Sequence, residues 1–477
     1  MLGMKVALLT LGCDKNTVDS ERYLAELVAH GATPTDDASE AEVILVNTCG
    51  FIDAAKQESI DALVGAGRLK VDGACQAVVA VGCMVQRHKD ELAEALPEVD
   101  LFLGASEVDQ LVPRLAARGL VASDALSAHP GVRLYTGDLP HVRYLKISEG
   151  CDHGCAFCAI PLMRGRHRSF APADVVREAQ LLELQGAREV NLVAQDLAHY
   201  GRDRGDGVRL PDLLELLLAE TGVPWYRNLY LYPTGITPRL LDVVAASPRV
   251  VRYLDMPIQH ASDAVLARMR RPERQRTMRE KLARFRDAVP GVAIRTTCIV
   301  GFPGEAEDDF LALCDFLEEA RFDRVGAFAY SPQEGTRAYD LADDVPDVVK
   351  RDRLERLTEL QRAITAERYE ERVGARATVL VDRAAAGGAG AAQARAAWQA
   401  DDVDGVTWVE TAAPAGSFVE VVVREVVDDY DFRATATGAA HDAPAPPAAR
   451  RRAPRVLPLA VAGAGPGPAA PVGRYGR

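Results

Sequence analysis

Short apolar runs alternate with amphipathic stretches along residues 4–120. Three runs rich in Val, Leu, Ile and Ala have the length of buried strands: Lys5–Leu11, Glu42–Val46 and Ala77–Val81. Stretches with apolar residues at helical spacing follow them, at Thr17–His30, Ala54–Ala66 and Gln86–Leu96. Because strands that alternate with helices form a parallel sheet, the pattern predicts an α/β domain over residues 4–120.

The same alternation continues over residues 137–370. Helical stretches there separate six further strand runs: Val142–Ser148, Glu189–Ala194, Trp225–Leu231, Val251–Met256, Val292–Ile299 and Arg324–Ala329. Six strand–helix units predict a curved, open (β/α)6 partial barrel. In such a barrel the reactive groups lie at the carboxyl ends of the strands.

A third pattern begins after a long charged helix, Asp347–Arg372. Its β-rich runs are short and broken by Gly and Pro: Thr378–Val381, Thr407–Glu410 and Phe418–Arg424. They predict a small, five-stranded antiparallel barrel over residues 372–436, in which the Ala/Gly-rich segment 384–397 looks like a degraded loop. Residues 437–477 are rich in Ala, Pro, Gly and Arg. This composition predicts a disordered basic tail, which either touches RNA loosely or only keeps the protein in solution.

A group of three cysteines follows the first strand of the predicted partial barrel. Cys151, Cys155 and Cys158 lie in one short segment, and thiolate is the ligand that iron–sulfur clusters prefer. Three ligands would leave one iron of a four-iron cluster open to an outside ligand. A zinc site completed by His153, and a chance group of buried thiols, are the alternatives.

A second group of cysteines is spread over the first domain. Cys13, Cys49 and Cys83 each lie just after a predicted strand. The carboxyl ends of parallel strands meet at one edge of a sheet, so the pattern predicts a second metal–sulfur site there. The alternative is three buried thiols. The remaining cysteines have no partners by spacing and are interpreted as packing residues: Cys75, Cys298 and Cys314.

Other polar groups are predicted at the rim of the partial barrel. They follow its second and fourth strands: Gln195, Asp196, Gln259 and His260. The turn Gly301–Gly304 precedes a helix, where free backbone N–H groups could meet an anionic ligand. Four basic residues follow the cysteine triplet closely: Arg164, Arg166, His167 and Arg168. They either form a solvated patch, or neutralise a ligand carboxylate and stabilise a reduced cluster.

Charge and composition narrow the classes of partner. The formal net charge of −13 gives no electrostatic case for binding nucleic acid. Nine cysteines in 477 residues do not suit a secreted, disulfide-rich domain, and we see no signal-peptide pattern or membrane-spanning apolar run. We therefore expect a cytoplasmic protein without a membrane partner. Residues 372–436 contain six Lys/Arg and ten Asp/Glu, a balance that should repel phosphates and suit a basic protein partner.

Taken together, these features resemble the radical S-adenosylmethionine (SAM) methylthiotransferases over nearly all of residues 4–436. Cys151, Cys155 and Cys158 are similar to the family's radical-SAM cluster motif, with Phe157 in the aromatic place before the last cysteine. The first-domain trio is similar to the ligands of the auxiliary cluster, and residues 372–436 are similar to the TRAM domain. Within the family, three sequence segments are similar to those of the members that modify a ribosomal protein. These segments are Leu11–Glu21, Ile147–Asp152 and Tyr330–Thr336.

The resemblance implies two 4Fe-4S clusters, with Cys13, Cys49 and Cys83 holding the auxiliary one. It implies that SAM chelates the open iron of the other cluster and is cleaved by one electron from a reductase such as flavodoxin. The resulting radical removes hydrogen from the β-carbon of an aspartate of small-subunit ribosomal protein S-twelve. The auxiliary cluster then delivers sulfur, and a second SAM delivers the methyl group. No acid–base catalytic residue is assigned, and Gln195 is the candidate contact of the SAM amino acid moiety.

One departure from the family pattern and two rival functions remain. Phe170 stands where relatives often carry a basic residue, so one expected contact is in question. A tRNA-adenosine methylthiotransferase would use the same chemistry, although the acidic third domain argues against it. A non-catalytic iron–sulfur electron carrier or scaffold would not account for a barrel that holds one ligand-deficient cluster.

Overall fold

A parallel sheet forms the first domain of the chain. The computed structural model describes residues 4–122, 132–385 and 390–442. Five strands belong to this sheet: β1 (Lys5–Thr10), β2 (Thr33–Pro34), β3 (Val43–Thr48), β4 (Ala77–Gly82) and β5 (Leu101–Gly104). They pair in the order β2-β1-β3-β4-β5. Four helices accompany them: α1 (Asp14–Ala29), α2 (Asp53–Asp72), α3 (Cys83–Ala95) and α4 (Leu111–Ala116).

The apolar pattern explains this sheet. Every residue of β3 and β4 is buried, because helices cover both faces of the central strands. The three strands and the α/β class expected from sequence are confirmed. The two edge strands β2 and β5 were not expected, since they are only two and four residues long.

The second domain is an open barrel of parallel strands. Its strands are β6 (Val142–Lys146), β9 (Glu189–Val193), β10 (Trp225–Asn228), β11 (Tyr253–Asp255), β12 (Ala293–Val300) and β13 (Arg324–Ala329), and a small ladder joins β7 (Ser148–Glu149) to β8 (Arg168–Ser169). Its helices are α5 (Ile160–Arg164), α6 (Pro172–Leu184), α7 (Leu210–Glu220), α8 (Pro238–Ala246), α9 (Asp263–Arg268), α10 (Gln275–Ala288), α11 (Glu307–Ala320) and α12 (Asp347–Glu370).

The six parallel strands run in chain order around the barrel. They form two three-stranded sheets, β6-β9-β10 and β11-β12-β13, and one parallel bridge between Tyr226 and Val250 joins these sheets. Among the described residues the end strands β6 and β13 do not pair with each other, so the barrel is open, as predicted. The largest apolar core lies between the strands and the helices that flank them, and includes Leu182, Leu214, Phe285 and Phe316.

A closed antiparallel barrel forms the third domain. Its strands are β14 (Arg376–Arg383), β15 (Ala391–Ala396), β16 (Thr407–Glu410), β17 (Phe418–Val427) and β18 (Asp431–Ala436), in the order β14-β15-β16-β18-β17. The expectation of a degraded loop over 384–397 is wrong for residues 391–396. Ala392, Ala394 and Ala396 point into the barrel core, where small side chains fit the narrow interior.

The segment after β15 enters the concave side of the partial barrel. Arg227 of β10 donates hydrogen bonds to the carbonyls of Ala397 and Gln399. Arg227 also pairs with Glu189 at 2.7 Å, and Arg395 pairs with Glu189 at 2.8 Å and with Asp382 at 2.6 Å. These buried charges neutralise one another, and so the third domain is fixed to the barrel by a specific ionic network.

Two further sequence expectations concern the tail and the absence of a membrane-spanning helix. Most of the predicted tail, residues 443–477, lies outside the described residues. Across the described part of the chain, no helix combines the length and the apolar character that crossing a membrane requires.

Candidate functional site

The cysteine triplet lies in a loop between β7 and α5, at the carboxyl end of the first barrel strand. Gly150 opens the loop with φ +79°, and a side chain there would collide with the backbone of Arg166. Cys151 N–H donates to the Gly165 carbonyl at 3.1 Å, which folds the loop back on itself. The three cysteines therefore lie in one short segment whose ends are held together by backbone contacts.

The thiols of the triplet lie close enough together for one to raise the pKa of another. Burial raises the pKa of Cys151 to about 11 and that of Cys158 to about 12, and the neighbouring Cys155 adds to both rises. All nine cysteines of the chain are free. Three clustered thiols without a disulfide fit a soft metal centre, which removes the pKa penalty by binding thiolate.

Arg271 is a neighbour of this site that the sequence analysis did not identify. Its guanidinium lies 3.9 Å from the ring centroid of Tyr232, and Nη1 lies 3.8 Å from Cys155 Sγ. Another nitrogen, Nη2, donates to the Pro257 carbonyl at 2.7 Å. Arg271 follows α9, far from the triplet in sequence, so no local motif marks it. Its charge would stabilise the anionic thiolates.

His153 is explained by contacts within the protein. Its Nε2 lies 2.7 Å from Asp196 Oδ2, and its ring stacks on Tyr232 at 3.8 Å between centroids. Asp196 also accepts hydrogen bonds from the N–H groups of Ala198 and Tyr232. With His199, His153 and Asp196 bring three possible metal-ligand atoms within 4.8 Å of one another, and among the described residues this group includes none of the triplet's cysteines, so His153 faces Asp196 and does not complete a Cys3His set.

The other predicted rim groups differ in what they offer a ligand. Gln195 Nε2 donates to Glu149 Oε1 at 2.9 Å, while its buried Oε1 has no hydrogen-bond partner in the described residues. His260 instead accepts the Ser262 N–H in the wall of the barrel, and burial lowers its pKa to about 3. Gln259 has φ +70° and is buried. Within the described residues, Gln259 Oε1 and His260 Nε2 are likewise buried without a hydrogen-bond partner, so three of these groups could each offer a polar atom to a ligand.

The glycine turn does not offer the free N–H groups expected of it. Phe302 N–H donates to Glu305 Oε2 at 3.1 Å, and Gly304 N–H donates to Asp344 Oδ1 at 2.6 Å. The chain's own carboxylates thus occupy the place predicted for an anionic ligand.

The second trio comes together at the carboxyl edge of the first sheet. Cys13 precedes α1, Cys49 follows β3, and Cys83 begins α3. Burial raises the pKa of Cys83 to about 11, and Cys13 and Cys49 add to this rise, so the three thiols share one neighbourhood. The local donor set fits a metal–sulfur group in the same way as the triplet.

Asn16 ties the loops of this trio together. It is buried in the first turn of α1, and its Nδ2 donates to the carbonyls of Leu11 and Thr48 at 2.7 and 3.2 Å. These carbonyls lie just before Cys13 and Cys49. One amide therefore sets the distance between two of the cysteine loops.

Arg164 reaches this second trio from the last position of α5, the helix that follows the triplet. Its Nε lies 3.1 Å from Cys83 Sγ, Nη1 donates to Asp19 at 2.6 Å, and Nη2 donates to Asn16 Oδ1. Of the four basic residues considered for a cluster role, His167 instead bonds Ser169, and the Arg166 side chain is 92% exposed. Arg164 therefore follows the triplet closely in sequence but lies beside Cys83 of the second trio in the fold.

The two trios lie at the same mouth of the barrel. Cys83 packs against Ala159 and Met163, which directly follow the triplet in the chain. Lys146 of β6 forms ion pairs with Asp19 of α1 and with Glu149, which fixes α1 across that mouth. The sequence predicted the six cysteines as ligands but did not indicate these connecting residues, because the contacts join segments that are distant in the chain.

Phe170 fills a position where a cation was expected. Its ring is partly buried against the barrel core and lies within 5.8 and 5.6 Å of the guanidinium groups of Arg22 and Arg168. The guanidinium groups of Arg22 and Arg168 thus lie near the position where relatives often carry a basic residue.

Three family models match consecutive parts of the chain. They are an uncharacterized protein family, UPF0004, over residues 5–104, the radical SAM superfamily over residues 145–317, and the TRAM domain over residues 373–437. Together they follow the three domains described above.

Two relatives that match most of the chain have the same name. A ribosomal protein uS12 methylthiotransferase RimO from an Anaeromyxobacter species is 46% identical and covers 91% of this chain and 93% of its own. A protein of the same name from Myxococcus xanthus is 42% identical over 94% and 98% of the two chains. Among solved structures, the radical S-adenosylmethionine methyltransferase TsrM from Kitasatospora setae is 15% identical, with a TM-score of 0.50 over 68% of this chain and 73% of its own. This last likeness shows the fold alone.

Proposed function

The chain belongs to the RimO family of radical SAM methylthiotransferases, and from this premise we propose that it adds a methylthio group to the β-carbon of an aspartate of ribosomal protein uS12. The observation that carries the proposal is the meeting of two thiol trios at one barrel mouth. An unactivated C–H bond offers no acidic proton, so radical chemistry suits this substrate better than a general base.

Each trio is assigned one iron–sulfur cluster. Cys151, Cys155 and Cys158 would hold the cluster that binds SAM, and Cys13, Cys49 and Cys83 would hold the auxiliary cluster. When bound, these groups supply the radical that removes a hydrogen atom and the sulfur that replaces it. The assignment is supported by the crowding of free thiols at both places and by the guanidinium groups beside Cys83 and Cys155.

The protein's own residues orient the reactants and exclude water. The unpartnered Gln195 Oε1 is suited to accept a hydrogen bond from the amino group of SAM. Helix α1 is held at the mouth by its ion pair with Lys146, which limits the entry of water and of solutes whose C–H or S–H hydrogen a radical would remove.

The surface of the third domain supports a protein substrate over an RNA. Asp382, Asp401, Asp404 and Arg395 are buried, which leaves five basic and seven acidic side chains nearer the surface. The excess of acid is smaller than the whole-domain count suggested, but it still disfavours a phosphate backbone. A ribosomal substrate is consistent with work in the cytoplasm, with a low-potential reductase such as flavodoxin as electron donor.

The direct test offers both candidate substrates to the reconstituted enzyme. Under anaerobic conditions, enzyme, SAM and reductant are incubated with uS12 or with tRNA, and mass spectrometry measures the added mass of SCH2. We expect modification of uS12 at one aspartate, and loss of deoxyadenosine formation in C158A. Modification of tRNA alone would overturn the substrate, and a wild-type enzyme that makes no deoxyadenosine from SAM would overturn the enzymatic function.

A further inference from the structure

Lys15 differs from the other buried lysines in having no anionic partner. Three lysines are buried: Lys15, Lys146 and Lys350. Lys146 pairs with Asp19 and Glu149, and Lys350 pairs with Asp343 at 2.6 Å. Lys15 is 7% exposed, and within the described residues its Nζ makes neither a hydrogen bond nor an ion pair. A charged group on a largely buried side chain that pairs with no anion is unfavourable, so Lys15 is suited to bind an anionic ligand.

The ammonium is held against an aromatic ring. Nζ lies 3.0 Å from the ring centroid of Tyr230, which follows β10 with φ +64°. Tyr230 is fixed from both ends: its hydroxyl donates to Asp14 Oδ2 at 3.0 Å, and its N–H donates to Asp255 Oδ2 at 3.2 Å. The ring orients the ammonium by a cation–π contact but adds no counter-charge.

The position of Lys15 near Cys13 indicates which part of a substrate it could bind. Lys15 lies two residues after Cys13 on α1. The groups with the strongest electrostatic effect on its side chain are Cys13, Asp14, Asp255 and Arg164. Asp255 is itself 3.7 Å from Arg295. Asp14 and Asp255 thus add negative charge nearby although neither forms an ion pair with Lys15, so a ligand with a single negative charge fits better than a phosphate dianion. A carboxylate meets this condition.

We propose that the Lys15 ammonium binds the side-chain carboxylate of the aspartate to be modified. This inference rests on the proposed function and adds a specificity-determining residue to it. An ion pair to the carboxylate would place the adjacent β-carbon beside the auxiliary trio, and would reject asparagine at the same substrate position.

The test replaces the charge on either side of the contact. K15M keeps the length of the side chain without its charge, K15R keeps the charge, and K5M is a control at an exposed lysine of the same domain that pairs with Glu40. Binding of uS12, and of uS12 whose target aspartate is replaced by asparagine, is measured with each reconstituted enzyme, together with iron content and SAM cleavage.

We expect wild type and K5M to bind the asparagine form at least tenfold more weakly than native uS12. K15M should bind the two forms equally while it keeps its iron and cleaves SAM, and K15R should lose less than K15M. Equal binding of both forms by the wild-type enzyme would overturn the inference even if K15M fails to assemble. Failure of the proposed function would show differently, as wild-type enzyme that leaves uS12 unmodified.

Discussion

Arg164 shows how one side chain can join two centres. It ends the short helix α5 that follows the radical-SAM triplet, yet its guanidinium contacts Cys83, Asp19 and Asn16. Asp19 in turn has its pKa lowered well below the usual range, because Lys146 and Arg164 outweigh the effect of burial. The cation next to Cys83 therefore has a fixed position, and its charge favours the more negative, reduced form of a cluster bound there.

Replacing Arg164 should lower the reduction potential of the auxiliary cluster. We expect R164M to shift that potential downwards by roughly 60 mV, equal to a tenfold change in the one-electron equilibrium. Potentiometric titration followed by electron paramagnetic resonance measures the shift. The control is R166M, whose side chain is exposed, and equal potentials in R164M and R166M would contradict this role.

At the scale of single elements, the turns after the strands decide whether the cysteines meet. Gly12 connects β1 to Cys13 with φ +95°, and a Cβ there would lie 2.8 Å from Cys49 Cβ and 2.9 Å from its Sγ. Glycine is needed at this point for two reasons, the left-handed backbone and the close approach of Cys49. Gly31 in the same domain has a similar φ of +90° but open space around it.

This pair of glycines separates backbone strain from contact with the site. G31A should cost about 1 kcal/mol of unfolding free energy from strain alone and leave cluster content unchanged. G12A should cost more and should also reduce the iron bound by the first domain, because the new methyl group displaces Cys49. Thermal unfolding and iron analysis of both variants measure the difference, and matched losses in the two would refute it.

The elements also show what sequence could and could not predict. The largely apolar runs of β3 and β4 identified the sheet, and the cysteines that follow its strands were predicted to mark the edge where they meet. The short strand β5 and the role of Arg271 were missed, because a four-residue run and a lone arginine carry no periodicity. Asn16 was part of a quoted string, but its bonds to two loops depend on packing that spacing does not encode.

At the scale of the whole molecule, the third domain is fixed to the barrel by buried polar contacts. Asp401 accepts hydrogen bonds from Tyr144 at 2.5 Å and from Asn191 at 2.9 Å, both on barrel strands. Burial raises the pKa of Asp401 from 3.8 to about 6, although Arg395 opposes the rise. The folded state therefore holds this proton more tightly than the unfolded chain does.

The contact should make domain stability depend on pH. A raised carboxyl pKa contributes stability that is present below the unfolded value of 3.8 and is lost as the pH rises through about 6. D401N lacks the titrating group, so its stability relative to wild type should increase by on the order of 3 kcal/mol over that range. Chemical unfolding at several pH values measures the change. D402N, next to it and exposed, is the control, and a slope equal to wild type in D401N would rule out this effect.

The proposed function requires two separate iron centres, each held by one trio of cysteines. The most direct measurement is the iron and acid-labile sulfide content of the anaerobically reconstituted protein, with either trio replaced by alanine. We predict about eight irons in the wild type and about four after loss of either trio. The variant without Cys13, Cys49 and Cys83 should still cleave SAM but add no methylthio group. Unchanged iron in that variant would contradict the assignment of the first-domain cysteines and, with it, the proposed source of sulfur.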